Sequence, residues 1–254
     1  MSAGTTLVRV EETDGVVTLV LDDPDHRNAL SWAMVCAITE AIDHAVQSGC
    51  RALILTNTPP VFSAGGSVDD LLSPKAPLED MYNAFVALSR APMPTVAAVD
   101  GAAIGAGINL ALACDVAICT PSSRFDVRFL DVGIHPGGGQ LWRLRQLVGR
   151  QGAAALSLFS EVLTGEDAAR RGLVWRSVES ADLRGEAERL ARRAAQHDPE
   201  LNVRVKQTLD ATAAIHDHES AVAAEQGPQQ WSMDRPAFGQ ALAELRERLG
   251  KPSS

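Results

Sequence analysis

Two glycine-rich stretches carry the residues whose types and spacing could do chemistry: Ser63-Ala64-Gly65-Gly66-Ser67 and Gly105-Ala106-Gly107. Each follows a short apolar run and precedes residues with helical spacing, so each reads as a strand turning into a helix. Such a turn presents N–H groups without backbone partners at the positive end of a helix dipole. Small residues there let a ligand oxygen approach the main chain. Gly105 and Gly107 also spell the start of a dinucleotide fingerprint, but the rest of that motif is missing. Leu110 stands where the third glycine belongs, and Asp115 comes far earlier than the ribose-binding acid expected about 20 positions on. No G-x-x-x-x-G-K-[ST] occurs, which excludes a P-loop. Two N–H-rich turns at the ends of neighbouring parallel strands are instead what an oxyanion hole requires. Two tight turns without a ligand remain the alternative at this point.

The elements that must position these turns follow from periodicity. "TLVRVEE" and "VVTLVLDD" flank Thr13-Asp14-Gly15 and predict a hairpin. Ser31 reads as an N-cap, with Met34, Val35, Ile38, Ile42 and Val46 at helical spacing and Gly49 closing the helix. "RALILTN" and "PTVAAVD" are continuous apolar runs of the kind found in buried parallel strands. A helical stretch to Arg90 lies between them. "PTVAAVD" is expected to turn through glycines into a helix from Gly107 to Cys114, followed by the strand "DVAICT". From about Gly152 onward the chain reads as helices rich in Ala and Arg. The alternation predicts an α/β core with a helical C-terminal extension.

Composition narrows the class. The chain has 254 residues, 46% of them hydrophobic and 22% charged, enough to bury a sizeable core. A net charge of −9 argues against nucleic-acid partners, which need a basic face. Cys36, Cys50, Cys114 and Cys119 form no C-x-x-C and read as thiols of a reducing compartment. The N-terminal "MSAGTTLVRVEETDG" has no leader pattern, and no apolar run reaches the about 20 residues of a spanning helix. The expectation is a cytoplasmic protein without membrane partners. His216 and His218 alternate like metal ligands, but they lie in a solvated stretch and no metal site is expected.

"HRNAL" (His26 to Leu30), "FSAGGSVDDL" (Phe62 to Leu71), "AAVDGAAIGAGINLALACDVAI" (Ala97 to Ile118), "PGGG" (Pro136 to Gly139) and "LTGEDAARRGLV" (Leu163 to Val174) occur in the order and spacing of the crotonase superfamily. The chain resembles that family, which includes enoyl-CoA hydratases and isomerases, from about residue 7 to about residue 180. "SMDRPAFGQAL" matches more loosely, keeping a serine and an aspartate. The resemblance implies the ClpP-like spiral of ββα units, with two nearly perpendicular sheets. It assigns residues 1–195 to an acyl-CoA-binding α/β core. Residues 196–254 become a helical region that trimerises and covers the active site. It further implies a homotrimer or dimer of trimers and an acyl-CoA thioester as substrate, with coenzyme A as part of that substrate and no bound cofactor.

Carried over by motif position, the oxyanion N–H groups belong to Gly66 and Ala106, the latter in place of the family's usual glycine. Aimed donors of this kind are worth about 3–4 kcal/mol each towards the transition state. The coenzyme A contacts carry over to Arg27, Ala29, Ala64, Gly65, Gly66, Ser67, Val68 and Asp69, with Gly105 in the second turn. An arginine near the phosphates is a natural charge-assisted donor. Ser67 replaces the aspartate of the family's A-G-x-D, and Asp69 stands where some hydratases carry a phosphate-binding lysine. Asp69 must therefore point away, or other groups must hold the phosphates.

Two-glutamate hydratases resemble one another in placing a water between two carboxylates, a pair worth about 10²–10⁴-fold per group. Those positions are Asn109 and Phe129 here, and the aspartate of dienoyl-CoA isomerases falls on Gly137. Asn109 can hydrogen-bond a water or a thioester oxygen but takes no proton at neutral pH. Phe129 can only line a pocket. Asp126, Arg128, Asp131 and His135 are the ionisable groups nearby, with His135 the candidate proton carrier and Asp131 expected to pair with Arg128. The resemblance thus implies a CoA-thioester enzyme, lyase or isomerase, that relies on the oxyanion hole. The alternative is a non-catalytic acyl-CoA-binding protein in which Phe129 fills the emptied site.

Overall fold

The computed structural model describes residues 6–249; residues 1–5, which begin the stretch read for a leader, and residues 250–254 lie outside the described part. β1 (Val8–Thr13) and β2 (Val16–Leu21) form an antiparallel hairpin closed by Asp14 and Gly15, both at positive φ. α1 (Trp32–Gln47) starts at Ser31, whose Oγ accepts the Met34 N–H at 3.2 Å. Its apolar stripe buries Met34, Val35, Ile38, Ala41, Ile42 and Ala45, while Val46 at the last turn stays exposed.

The chain then winds in repeated strand–strand–helix turns. β3 (Ala52–Asn57) leads into β4 (Val61–Ser63), and then α2 (Val68–Leu72) and α3 (Asn83–Arg90) return the chain. The expected single helical stretch to Arg90 is split because Pro74 and Pro77 cannot continue a helix. β5 (Thr95–Val99) passes through Gly101 into β6 (Ala102–Ile104) and α4 (Ala106–Ala111). The sequence showed one strand here, whereas the chain makes two in different sheets. α4 also ends earlier than the expected Cys114. The chain is drawn back by Asp115, whose carboxylate accepts from the Thr95 N–H at 2.7 Å and its hydroxyl at 2.9 Å. β7 (Val116–Cys119) leads to β8 (Arg124–Asp126) and α5 (Gln140–Leu158), which Gly149 breaks at φ 68°. β9 (Val162–Thr164), α6 (Gly165–Arg170), β10 (Arg176–Ser177) and α7 (Ser180–Ala195) follow.

A six-stranded sheet in the order β1-β2-β3-β5-β7-β10 is parallel except at its first hairpin. A four-stranded sheet in the order β4-β6-β8-β9 receives one short strand from each turn of the spiral. Phe62 on β4 and Phe125 on β8 are wholly buried in the main core. A second apolar layer joins the outer face of the long sheet to Leu183, Ala187, Ala191 and Ala195 of α7. The first compact unit ends at Gln196.

The second unit begins at His197 and contains α8 (Pro199–Thr212), α9 (His218–Met233) and α10 (Pro236–Leu249). Within it the Trp231 ring meets the guanidinium groups of Arg204 at 3.8 Å and Arg235 at 4.6 Å. None of these three helices buries a residue, and Leu201, Val205, Leu209, Val222, Met233 and Leu242 are among their exposed apolar side chains. His216 lies in the link before α9 and His218 begins it. Among the described residues no cluster of three or more His, Cys, Asp or Glu is placed to hold a metal ion. No helix among them is long and apolar enough to cross a membrane.

Candidate active site

The two glycine turns are packed main chain against main chain. A Cβ added to Gly65, which has φ +88°, would lie 2.7 Å from the Ile104 carbonyl oxygen and 3.5 Å from the Ala106 nitrogen. One added to Gly107 would lie 2.7 Å from the Ser63 carbonyl oxygen. The loop that carries Arg27 and Ala29 is stitched to the first turn. Leu30 N–H donates to Gly65 O at 2.7 Å, Ser67 N–H to Leu30 O at 3.2 Å, and Ala64 N–H to Arg27 O at 3.0 Å. The second turn is pinned by Gly105 N–H donating to Asp126 O at 2.8 Å.

This stitching leaves particular donors over. The parallel bridge between Leu30 and Gly66 uses the flanking N–H groups of Leu30 and Ser67, so the N–H of Gly66 stays unengaged among the described residues. Ala106 opens α4, and the N–H groups of a first helical turn have no intrahelical acceptor. Both N–H groups that the resemblance singles out are therefore available to a ligand. Gly66 is exposed and Ala106 half-buried.

Asn28 holds this arrangement and was not among the residues read as functional. Wholly buried, it accepts the Asp23 N–H at 2.8 Å and donates to Val61 O at 2.7 Å. Its place inside "HRNAL" was the available signal. Orphaned buried partners cost about 1–3 kcal/mol each. Asn28→Ala is expected to destabilise the first unit by about 3 kcal/mol. By the usual scaling that lowers the melting temperature by about 6–12 °C, measurable by circular dichroism.

Around the first turn, Arg27 is exposed, at φ 54°, and its guanidinium has no hydrogen bond or ion pair among the described residues. Ala29 and Ala64 are half-buried, and Val68 is exposed. Ser67 caps α2, its Oγ facing the Asp70 N–H at 3.5 Å, and Asp70 in turn accepts the Trp32 N–H at 2.6 Å. Asp69 is exposed and lies in the field of His26, whose pKa is raised first by its hydrogen bond to Asp23 and in smaller part by Asp69.

Asn109 is 1% exposed and fully engaged. Its Nδ2 donates to Gly138 O at 2.6 Å, and its Oδ1 accepts from the Arg143 guanidinium at 2.8 Å. Arg143 also donates to Gly138 O at 2.9 Å and to Ser89 Oγ at 2.7 Å, which ties α3, α4, α5 and the P-G-G-G turn together. Burial lowers the Arg143 pKa, yet a guanidinium keeps its charge at neutral pH. The Asn109 amide therefore braces the turn. Phe129 is half-buried, and a Cβ at Gly105 would lie 3.8 Å from its ring, so an apolar wall borders the second turn.

The carboxylates nearby are otherwise occupied. Arg128 pairs with Asp126, which also receives Arg124 at 2.9 Å, and not with Asp131 as its spacing suggested. Asp126 is the buried carboxylate on β8, and Asp131 instead accepts from Ser160 Oγ at 2.9 Å. His135 is exposed, its Nδ1 2.7 Å from the Pro136 carbonyl, so the ring bonds its own loop.

A ββα spiral with two glycine turns facing each other, each with an unengaged N–H, defines a crotonase-type protein. The sequence profile of the enoyl-CoA hydratase/isomerase family matches residues 11–249. The chain belongs to the enoyl-CoA hydratase/isomerase family. It is 38% identical over 244 residues, covering 92% of this chain and 94% of the other, to a Mycobacterium tuberculosis protein named probable enoyl-CoA hydratase EchA14. It is 33% identical over 191 residues to the 1,2-epoxyphenylacetyl-CoA isomerase of Escherichia coli, covering 71% of this chain and 73% of that one. The crystal structure of an enoyl-CoA hydratase from Polaromonas sp. JS666 superposes with a TM-score of 0.87 at 27% identity, covering 95% of this chain and 97% of that one.

Proposed function

We propose that this protein binds acyl-CoA thioesters with the thioester oxygen between the N–H groups of Gly66 and Ala106 and stabilises the enolate formed there. The observation that carries this reading is the pair of unengaged N–H groups on two turns locked together through Gly65 and Gly107. Donors fixed in advance stabilise developing charge without reorganising. The unpaired guanidinium of Arg27 beside the first turn suits the coenzyme A phosphates.

The reading excludes two-glutamate hydration. Asn109 is held by Arg143 and Gly138, and Phe129 presents no proton acceptor. Reactions that fit are those of the thioester enolate itself, such as isomerisation or decarboxylation. A specific observation also favours a second reading, an acyl-CoA-binding protein without turnover: the Phe129 ring stands beside Gly105 where a carboxylate would be needed. The exposed apolar faces of α8, α9 and α10 support assembly as a homotrimer or dimer of trimers, for sedimentation to test.

The test is to incubate pure protein with crotonyl-CoA, follow the conjugated thioester absorbance, and measure binding by calorimetry. Binding without hydration is the expected outcome. Hydration at ordinary enzymatic rates, about 1–10³ s⁻¹, would overturn the expectation of no hydration and show that another group moves the proton. No binding of any acyl-CoA would overturn the whole reading.

A further inference from the structure

With Asn109 engaged and Phe129 inert, two proton-carrying side chains at or next to the P-G-G-G turn keep an unengaged atom: His135, exposed, at Nε2, and the half-buried Tyr82 at its hydroxyl. Tyr82 is the chain's single tyrosine. It ends the short 3₁₀ turn Asp80–Tyr82 and directly precedes α3, so its backbone is held by regular structure on the C-terminal side. Its ring stacks on Phe85 with centroids 6.3 Å apart, and Phe85 itself is buried against the turn at Gly138. The phenol oxygen stands where a side chain at Gly137 would begin: a Cβ added there would collide with Tyr82 Oη. Gly137 is the position onto which the acid of dienoyl-CoA isomerases falls. The Tyr82 hydroxyl makes no hydrogen bond among the described residues, and the residue is half-buried, so a bound ligand can reach it.

The link from the phenol to the second glycine turn runs through α4. Asn109 lies three residues along α4 from Ala106, about 4.5 Å of axial rise. From Asn109 the Nδ2 donor reaches Gly138 O at 2.6 Å and Gly137 O at 3.4 Å, and Tyr82 Oη lies against Gly137. These contacts place the phenol on the P-G-G-G turn that Asn109 touches, and Asn109 lies on the helix that Ala106 opens.

We propose that Tyr82 is the catalytic residue that exchanges a proton with the α-carbon of the bound acyl thioester. This rests on the oxyanion reading above and goes beyond it. A Tyr82 that has given its proton to water takes the α-proton. The C–H electron pair becomes the enolate double bond, and the carbonyl pair moves to the oxygen held by Gly66 and Ala106. In the return step the Tyr82 O–H bond breaks, its proton passes to the α-carbon, and the thioester carbonyl reforms. In its protonated form the same group can quench an enolate generated by loss of a substrate group.

The experiment uses butyryl-CoA in D₂O. Mass spectrometry reads α-deuterium, and calorimetry reads binding, for the wild type, Tyr82→Phe and Gly137→Ala. The last variant keeps the hydroxyl but drives a methyl group into its place; the phenol end can swing aside, and Gly137 has an ordinary φ, so folding is retained. Wild-type exchange, with at least about 100-fold loss in both variants and affinity changed less than about threefold, supports the proposal. Equal exchange in the wild type and Tyr82→Phe overturns it while leaving the oxyanion reading intact. Binding without exchange in the wild type overturns it as well. Absence of binding in the wild type overturns the oxyanion reading, and this proposal with it.

Discussion

Ala106→Pro is expected to slow any reaction through the thioester enolate by about 10²–10³-fold while the protein stays folded. Backbone donors are normally beyond the reach of mutagenesis, but Ala106 is the first residue of α4. Proline is welcome at that helical position, because the N–H it lacks has no intrahelical partner. The preceding Gly105, at φ 51° and ψ −117°, lies outside the α region that a following proline disfavours. The substitution therefore removes one hydrogen-bond donor and sets the ring Cδ where that N–H pointed, so it also obstructs the ligand oxygen while leaving the helix intact. Ala106→Gly, which keeps the N–H, serves as the matched control. The readouts are α-deuterium incorporation into butyryl-CoA and thermal melting. Unchanged exchange in a folded Ala106→Pro protein would mean that the thioester oxygen binds elsewhere.

The second large effect is expected at Arg143. Arg143→Met removes donors to Asn109 Oδ1, Gly138 O and Ser89 Oγ at one stroke, leaving the buried Asn109 oxygen without its partner. Hydrogen bonds to a charged group contribute about 1.5–3 kcal/mol each, partly offset here because methionine packs its own stem. A net loss of about 3 kcal/mol lowers the melting temperature by about 6–12 °C. Arg143→Lys is expected to recover only part of this, since one ammonium cannot span Asn109 and Ser89 as a guanidinium fork does. A melting temperature unchanged in Arg143→Met would show that the P-G-G-G turn holds itself.

The parts of the fold legible in the sequence were those with strong period or punctuation. The hairpin around Asp14-Gly15, the Ser31-capped α1 and the apolar β3, β5 and β7 follow from local pattern. The short strands β6, β9 and β10 did not, because two or three residues carry no period, and their pairing comes from distant partners. α5 was visible only towards its end, since Gly149 interrupts its pattern at φ 68°. In the site, the glycine turns were readable as N–H-rich from composition alone. Arg143, Tyr82 and Asn28 were not, because each has its deciding contact 33 to 55 positions away along the chain. Asn109 illustrates the boundary well. Its neutral character was plain from the sequence, but its attachment to Arg143 is a tertiary fact. Arg128 taught the converse, since a partner three positions on lost to the buried Asp126 two positions back.

The contact of Gly65 with the Ile104 carbonyl sets the spacing of the two turns through main-chain atoms on both sides. On the proposed reading, carbonyl activation is thereby uncoupled from the identity of the side chains around the two turns. Leu71, whose methyl groups flank Gly66, and Phe129, beside Gly105, are side chains whose exchange leaves that main-chain contact unaltered. The proposed device is a chassis: its spacing is cast in backbone, and the side chains around it are replaceable fittings.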